Sequence, residues 1–135
     1  MGLDNGITLK LSSKRIPEDF TKTNAWWMST DEDVAKDGNL DICYWRKCWG
    51  IRAAILGVLH VGEGCEHPVE AEDLPAIRRE LVKFLNPTYW EENGDSIWTY
   101  EEIYESLLDD LLNLKWLERY LKKHPEDSAF FYDSY

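Results

Sequence analysis

The chain is predicted to form a single α+β domain over residues 1–135, with a small antiparallel sheet packed against about three helices. Three observations lead to this fold class. Apolar and polar residues alternate near the N-terminus, apolar residues recur every three or four positions in three later segments, and the C-terminal tail is aromatic. A length of 135 residues fits one ordinary domain.

Two strands are expected, one near each end of the chain. Ile7, Leu9 and Leu11 alternate with polar Thr8 and Lys10, which is typical of a strand with one buried face. The tail at 129–132 reads Ala-Phe-Phe-Tyr, and aromatic residues of this kind favour strands. We expect the tail to return beside the N-terminal strand and to pair with it.

Residues 13–38 show no sustained periodicity and are predicted to be a long connection. We expect Trp26 and Trp27 to hold this connection against the domain, with one helical turn near Asp31. A structureless loop of this length is uncommon in a compact domain, so a short hidden element is expected as well.

The first helix is predicted over residues 44–59, where apolar residues recur at helical spacing: Trp45, Cys48, Trp49, Ile55, Leu56 and Leu59. Its tryptophans and Cys48 are assigned to the core. Gly50 and Gly57 share one face of this helix and would permit close approach of another backbone. A turn-rich loop carrying Cys65 and His67 is expected to follow.

The second helix is predicted over residues 72–86, with Pro75 in its first turn and Asn86-Pro87 at its end. The third is predicted over 100–123, because Thr99 and Glu102 form a capping box. Its apolar stripe consists of Ile103, Leu107, Leu111, Leu114, Leu117 and Leu121.

Acidic residues outnumber basic residues by 26 to 15, giving a net charge of −11. This excess argues against nucleic-acid binding and against attachment to anionic lipid. The sequence shows neither a membrane-spanning apolar stretch nor a secretory signal, and its three cysteines fit reduced thiols, so a cytoplasmic location is expected.

Most of the net charge falls in the last third of the chain: residues 87–135 hold 12 acidic and 4 basic residues. Glu101, Glu105 and Asp109 follow at four-residue steps and share a helical face, with Glu102 and Asp110 alongside. One interpretation is a solvated face that keeps the protein soluble. The other is a surface that docks a basic partner protein.

The run Tyr44-Trp45-Arg46-Lys47 offers a second candidate surface. With the tryptophan in the core, Arg46 and Lys47 are expected to point outward from the first helix, where they contact a ligand or pair with the acidic helix.

Cys65 and His67 lie two residues apart in the turn-rich loop. Zinc would need four thiolate or imidazole ligands, and the spacing of the cysteines and histidines is poor for that, so no metal or cofactor is expected. A thiol nucleophile with an imidazole base stays an alternative, although no third residue is identified that would orient the imidazole.

The chain resembles a family of small phage and prophage proteins that begin Met-Gly-Leu-Asp and carry a central Tyr-Trp-Arg-Lys helix. The matching segments are Met1-Gly2-Leu3-Asp4, Tyr44-Trp45-Arg46-Lys47, Cys65, residues 69–74, Phe84-Leu85-Asn86-Pro87, residues 100–104 and Phe130-Phe131-Tyr132. The chain departs from the pattern at Asn5, Cys48, Trp49 and Tyr135. The resemblance implies a mobile-element origin and a fold shared by the group, and it implies no reaction.

These observations favour a non-enzymatic interaction module, derived from a phage or prophage, that uses its acidic helical face. The alternative is a small enzyme or ligand-binding protein, with a pocket between the tryptophans and the loop bearing Cys65 and His67. A homodimer contact through the tryptophans is a further option, because aromatic residues are enriched at such contacts.

Overall fold

The computed structural model describes residues 3–62 and 64–134. Met1 and Gly2 of the N-terminal motif, Glu63 of the turn-rich loop and Tyr135 of the tail lie outside the described residues. The strands are β1 (Asp4–Lys10), β2 (Asn39–Arg46), β3 (Glu66–Val69) and β4 (Ser128–Ser134). The helices are α1 (Asp31–Asp37), α2 (Trp49–Leu59), α3 (Leu74–Lys83), α4 (Pro87–Asn93) and α5 (Tyr100–Lys123).

The strands form one antiparallel sheet in the order β2-β1-β4-β3. The predicted α+β class and the pairing of the N-terminal strand with the aromatic tail are both confirmed: in β1, Ile7 lies opposite Phe131 of β4. Ile7 and Leu9 point inward and are fully buried, as the alternation predicted, and Phe131 is fully buried beside them. Helices α2, α3 and α5 pack together on this inner face of the sheet.

The helix predicted over 44–59 is wrong in its first part, because residues 39–46 form the edge strand β2 and α2 begins only at Trp49. The pairing of β2 with β1 shifts register between Ile7 and Thr8. This bulge turns both Ile42 and Cys43 inward, so buried residues no longer alternate strictly along the strand. Beyond the bulge, buried Cys48 follows buried Trp45 by three residues, and this step across the end of the strand resembles a helical pattern. Trp49 is also misassigned, because its side chain is 40% exposed.

The second predicted helix is shorter than expected, since α3 spans Leu74–Lys83 after a 3₁₀ turn at Ala71–Asp73. Asn86-Pro87 ends this segment but also starts α4, where the Asn86 side chain accepts hydrogen bonds from the backbone of Thr88 and Tyr89. The N–H of the first residue in a helix has no partner within the helix, so proline, which lacks this N–H, fits there. Asn-Pro can therefore mark the start of a helix as well as the end of one. The sequence prediction missed both α4 and the short edge strand β3.

Helix α5 has the predicted bounds. The Glu102 backbone N–H donates to Thr99 Oγ1 over 3.2 Å, and the Thr99 backbone N–H donates to Glu102 Oε1 over 3.3 Å. This reciprocal pair is the predicted capping box, and it satisfies two backbone donors at the helix start.

The connection at 13–38 contains α1 and a 3₁₀ turn at Glu18–Lys22, which fits the expected hidden element. The tryptophans do not hold it, because Trp26 is 61% exposed and Trp27 is 67% exposed. The segment is held instead by buried Phe20, whose ring meets the edge of Trp116 with centroids 5.0 Å apart. Within the described residues, none of the helices is both long and apolar enough to cross a membrane.

Candidate functional site

A small cleft opens between the 24–28 segment, the end of β2 and one flank of α5. Its volume is about 180 Å³, and we call it the aromatic–acidic cleft because of the residues that line it. The lining consists of Asn24, Trp27, Met28, Tyr44, Trp98, Ser106, Asp109, Asp110 and Asn113.

One wall of the cleft is fixed by hydrogen bonds between Asn24 and α5. The backbone N–H of Asn24 donates to Asn113 Oδ1 over 2.9 Å, and its side-chain amide donates to Asp109 Oδ1 over 2.7 Å. The Trp27 indole N–H in turn donates to the Asn24 carbonyl over 2.9 Å. The exposed ring of Trp27 is therefore held beside the Asp109 carboxylate by two consecutive hydrogen bonds.

The opposite wall is formed by Tyr44 and Trp98. The Tyr44 hydroxyl donates to Asp4 Oδ1 over 2.7 Å, and this hydrogen bond raises the pKa of the phenol. The indole N–H of Trp98 donates to the backbone carbonyl of Arg46 over 2.7 Å. Both rings are thus anchored through their polar atoms. Tyr44 is exposed, whereas Trp98 is half-buried against the core.

Asp110 forms the floor of the cleft and is almost completely buried. Its carboxylate accepts a hydrogen bond from the indole N–H of Trp45 over 2.8 Å, and the nearby side chains of Cys43 and Ser106 also favour its ionised form. Burial nevertheless dominates and raises the pKa of Asp110 to about 7. This carboxyl group can therefore gain or lose a proton near neutral pH.

The thiols near the cleft are poor nucleophiles. Burial raises the pKa of the Cys43 thiol well above its ordinary value, and the nearby Asp110 carboxylate adds to this effect. Burial also raises the pKa of Cys48 to about 11. Both thiols therefore stay protonated at neutral pH, and the thiolate is the reactive form of cysteine.

The five acidic residues predicted to share one face of α5 are divided among four environments. Glu101 and Glu105 are exposed on the outward side, Glu102 belongs to the capping box, and Asp109 lies at the rim of the cleft. The prediction is wrong for Asp110, which is buried against β2 and is not part of an exposed acidic surface.

Arg46 is the last residue of β2 and Lys47 follows it, so neither residue projects from a helix. Arg46 is exposed, and its backbone carbonyl positions Trp98. Lys47 adopts a left-handed backbone conformation with φ of 54°, and its N–H donates to the Leu3 carbonyl over 2.7 Å. Arg46 therefore contributes to the cleft through its main chain.

Cys65 and His67 do not line the cleft. Cys65 is exposed, whereas His67 lies on the inner side of β3, stacked on Phe131 with ring centroids 6.5 Å apart. The cleft therefore does not combine these two residues with the tryptophans. Among the described residues, no group of three or more histidine, cysteine or acidic side chains is arranged to hold a metal ion.

The roles of Asn24, Trp98 and Asn113 were not predicted from the sequence, and Asp110 was predicted on the wrong side of the helix. One signal was available for Asp110. Ile103, Leu107, Asp110, Leu114 and Leu117 follow at alternating steps of four and three residues, so Asp110 falls in the middle of the buried stripe. A carboxylate in an apolar stripe indicates a buried polar contact.

In comparisons with known proteins, no family model, no curated protein and no solved structure matches the chain.

Proposed function

We propose that this protein is a non-enzymatic protein–protein interaction module, and that one lysine or arginine side chain of a basic partner enters the aromatic–acidic cleft. The observation that carries this proposal is the composition of the cleft, whose lining combines the rings of Trp27, Tyr44 and Trp98 with the carboxylates of Asp109 and Asp110. Aromatic faces and carboxylates both attract cations.

The size of the cleft supports a side chain as its occupant. Its volume of about 180 Å³ is below the range of roughly 300–1,000 Å³ that is typical of small-molecule sites. The neutral thiols of Cys43 and Cys48 likewise favour binding over nucleophilic catalysis.

The overall charge supports a basic partner. A net charge of −11 attracts a cationic protein over distances longer than the contact itself and accelerates its association. A cation in the cleft would also favour the ionised form of Asp110, whose pKa lies at about 7. Binding is therefore expected to strengthen as the pH rises through neutrality and to weaken as the salt concentration rises.

The biological setting belongs to the same proposal. We expect the module to act in the cytoplasm, because Cys43, Cys48 and Cys65 are free thiols and such thiols persist in a reducing compartment. The collinear motifs of the phage and prophage family support a mobile-element origin, with a basic host or phage protein as the partner.

The test uses a fluorescently labelled eight-residue peptide in which lysine alternates with serine, and the same peptide with every lysine acetylated. We expect the lysine peptide to bind at low salt and the acetylated peptide to bind far more weakly, because acetylation removes the positive charges. Equal binding of the two peptides, or no binding of the lysine peptide, would overturn the proposal.

A matched pair of tryptophan variants separates the cleft from general charge attraction. Trp27→Ala removes a ring that lines the cleft, whereas Trp26→Ala removes a neighbouring exposed ring that does not. We expect Trp27→Ala to weaken binding by about three- to tenfold and Trp26→Ala to leave it unchanged. Equal effects would show that binding occurs outside the cleft.

A further inference from the structure

A strip of exposed side chains runs along the outward side of α5, and we call it the front face. It is distinct from the aromatic–acidic cleft, which lies on the flank of the helix. Its members follow one another at alternating steps of four and three residues: Glu101, Glu105, Leu108, Leu112, Lys115 and Arg119. This spacing keeps them in line along the helix and is the spacing of a coiled-coil seam.

The front face has an ordered charge pattern. Its acidic residues lie toward the helix start, its two leucines lie in the middle, and its basic residues lie toward the helix end. Leu108 and Leu112 are each 46% exposed, a large exposure for leucine side chains at the centre of such a strip.

We propose that two copies of this chain associate through their front faces, with the two α5 helices antiparallel about a two-fold axis at the level of residue 110. In this arrangement Leu108 faces Leu112 of the second copy. Glu101 then lies level with Arg119 of the second copy, and Glu105 with Lys115, because each pair is equidistant from residue 110. A parallel arrangement would instead align charges of the same sign.

The charges of the front face are available for this contact. Glu101, Glu105, Lys115 and Arg119 make no ion pair within the described part of the chain. By contrast Glu118, on the side of the helix, is paired with both Arg78 and Lys122. The unpaired acids and bases therefore coincide with the strip in which a second copy would neutralise them.

The contact spans about 27 Å of helix from position 101 to position 119. One pair of helices is smaller than a standard interface, which buries about 800 Å² on each partner, so the dimer is expected to be reversible. We expect a dissociation constant of about 10–200 µM at low salt, increasing with salt as the ion pairs are screened.

The experiment is sedimentation equilibrium between about 5 and 500 µM, with reversed-charge variants of the intact chain. Glu101→Lys with Glu105→Lys makes the front face entirely basic, and Lys115→Glu with Arg119→Glu makes it entirely acidic. Each variant alone is expected to associate at least tenfold more weakly than the wild type, because like charges then oppose each other. An equimolar mixture of the two variants is expected to recover association.

A control variant, Glu91→Lys with Glu92→Lys, reverses two exposed charges on α4 and should dimerise like the wild type. Circular dichroism checks that all variants are folded. A wild-type chain that stays monomeric over the whole range, unchanged association of the reversed variants, or a mixture that stays monomeric would each overturn the proposal. Peptide binding in the cleft is measured at low micromolar concentration and tests a separate surface.

Discussion

The indole N–H of Trp45 donates a hydrogen bond over 2.8 Å to the carboxylate of Asp110, inside the contact between β2 and α5. One turn further along α5, the Asn113 side-chain amide donates to the Ile42 carbonyl over 3.2 Å. Both helix residues are buried. Polar contacts of this kind fix the position of a helix on a strand, because a shift along the helix axis would leave buried groups without partners.

Asp110 should make the stability of the domain depend on pH. Its pKa is about 7 in the folded chain against an ordinary value of 3.8, so between these values the folded state holds a proton that the unfolded state has lost. The free energy of unfolding therefore decreases as the pH rises from about 4 to about 7. Asp110→Asn removes this contribution, and we expect it to be more stable than the wild type above pH 7 by on the order of 2–4 kcal/mol.

The measurement is urea denaturation of the wild type and Asp110→Asn at several pH values, since the difference between them cancels the other titrating groups. Glu91→Gln, which removes an exposed carboxylate on α4, serves as the control and should keep the wild-type slope. A constant difference between wild type and Asp110→Asn over the whole pH range would contradict the prediction.

Local signals were enough to predict part of the fold. The alternation in β1, the aromatic tail of β4 and the capping box at Thr99 each lie within a few residues, and the structure contains all three. The bulge in β2 could not be predicted in this way. It depends on the register between β1 and β2, whose paired residues are 29 to 42 positions apart.

The candidate site was less accessible to sequence reasoning for the same reason. The aromatic–acidic cleft joins Asn24, Tyr44, Trp98 and Asp109, which come from four separate segments of the chain. No local pattern relates these positions. Asp110 alone carried a local signal, its place in the buried stripe of α5.

The two glycines of α2 should respond in opposite ways to substitution. A Cβ atom at position 50 would lie 2.0 Å from the Asn93 carbonyl oxygen, whereas one at position 57 would have no atom within 4 Å. We expect Gly50→Ala to lower the free energy of unfolding by about 2–3 kcal/mol through this overlap. Gly57→Ala should raise it by about 0.5 kcal/mol, because alanine favours the helix. Denaturation of both variants checks the pair, and a stable Gly50→Ala would contradict the close approach.

Asn5 should be a site of stabilising substitution. It is fully buried between Trp45 of β2 and Asp133 of β4, and neither polar atom of its side chain has a hydrogen-bond partner among the described residues. A buried amide without partners costs about 1–3 kcal/mol. Asn5→Leu has a similar size and no polar atoms, so we expect the free energy of unfolding to rise by about 1 kcal/mol. Thermal denaturation measures the change, and a lower melting temperature would show that the amide has a partner.

Breaking the ion pair between Arg52 of α2 and Asp133 of β4 should lower the free energy of unfolding far more than breaking an exposed pair. Arg52 Nε lies 2.8 Å from Asp133 Oδ2, and the Asp133 side chain is completely buried. Arg52→Met keeps much of the aliphatic volume but leaves the buried carboxylate without this partner. We expect this change to lower the free energy of unfolding by about 3–5 kcal/mol. Lys10→Met, which breaks the exposed pair with Glu66, should cost less than about 1 kcal/mol.

A double variant separates the net contribution of this ion pair to stability from the cost of a buried carboxylate that has lost its partner. Arg52→Met with Asp133→Val removes both charges and places a strand-favouring residue in β4, so most of the stability lost in Arg52→Met should return. Urea denaturation of the two single variants and the double variant gives these differences directly. If the double variant is no more stable than Arg52→Met, the loss comes from the packing of the arginine stem and not from the unpaired Asp133 carboxylate.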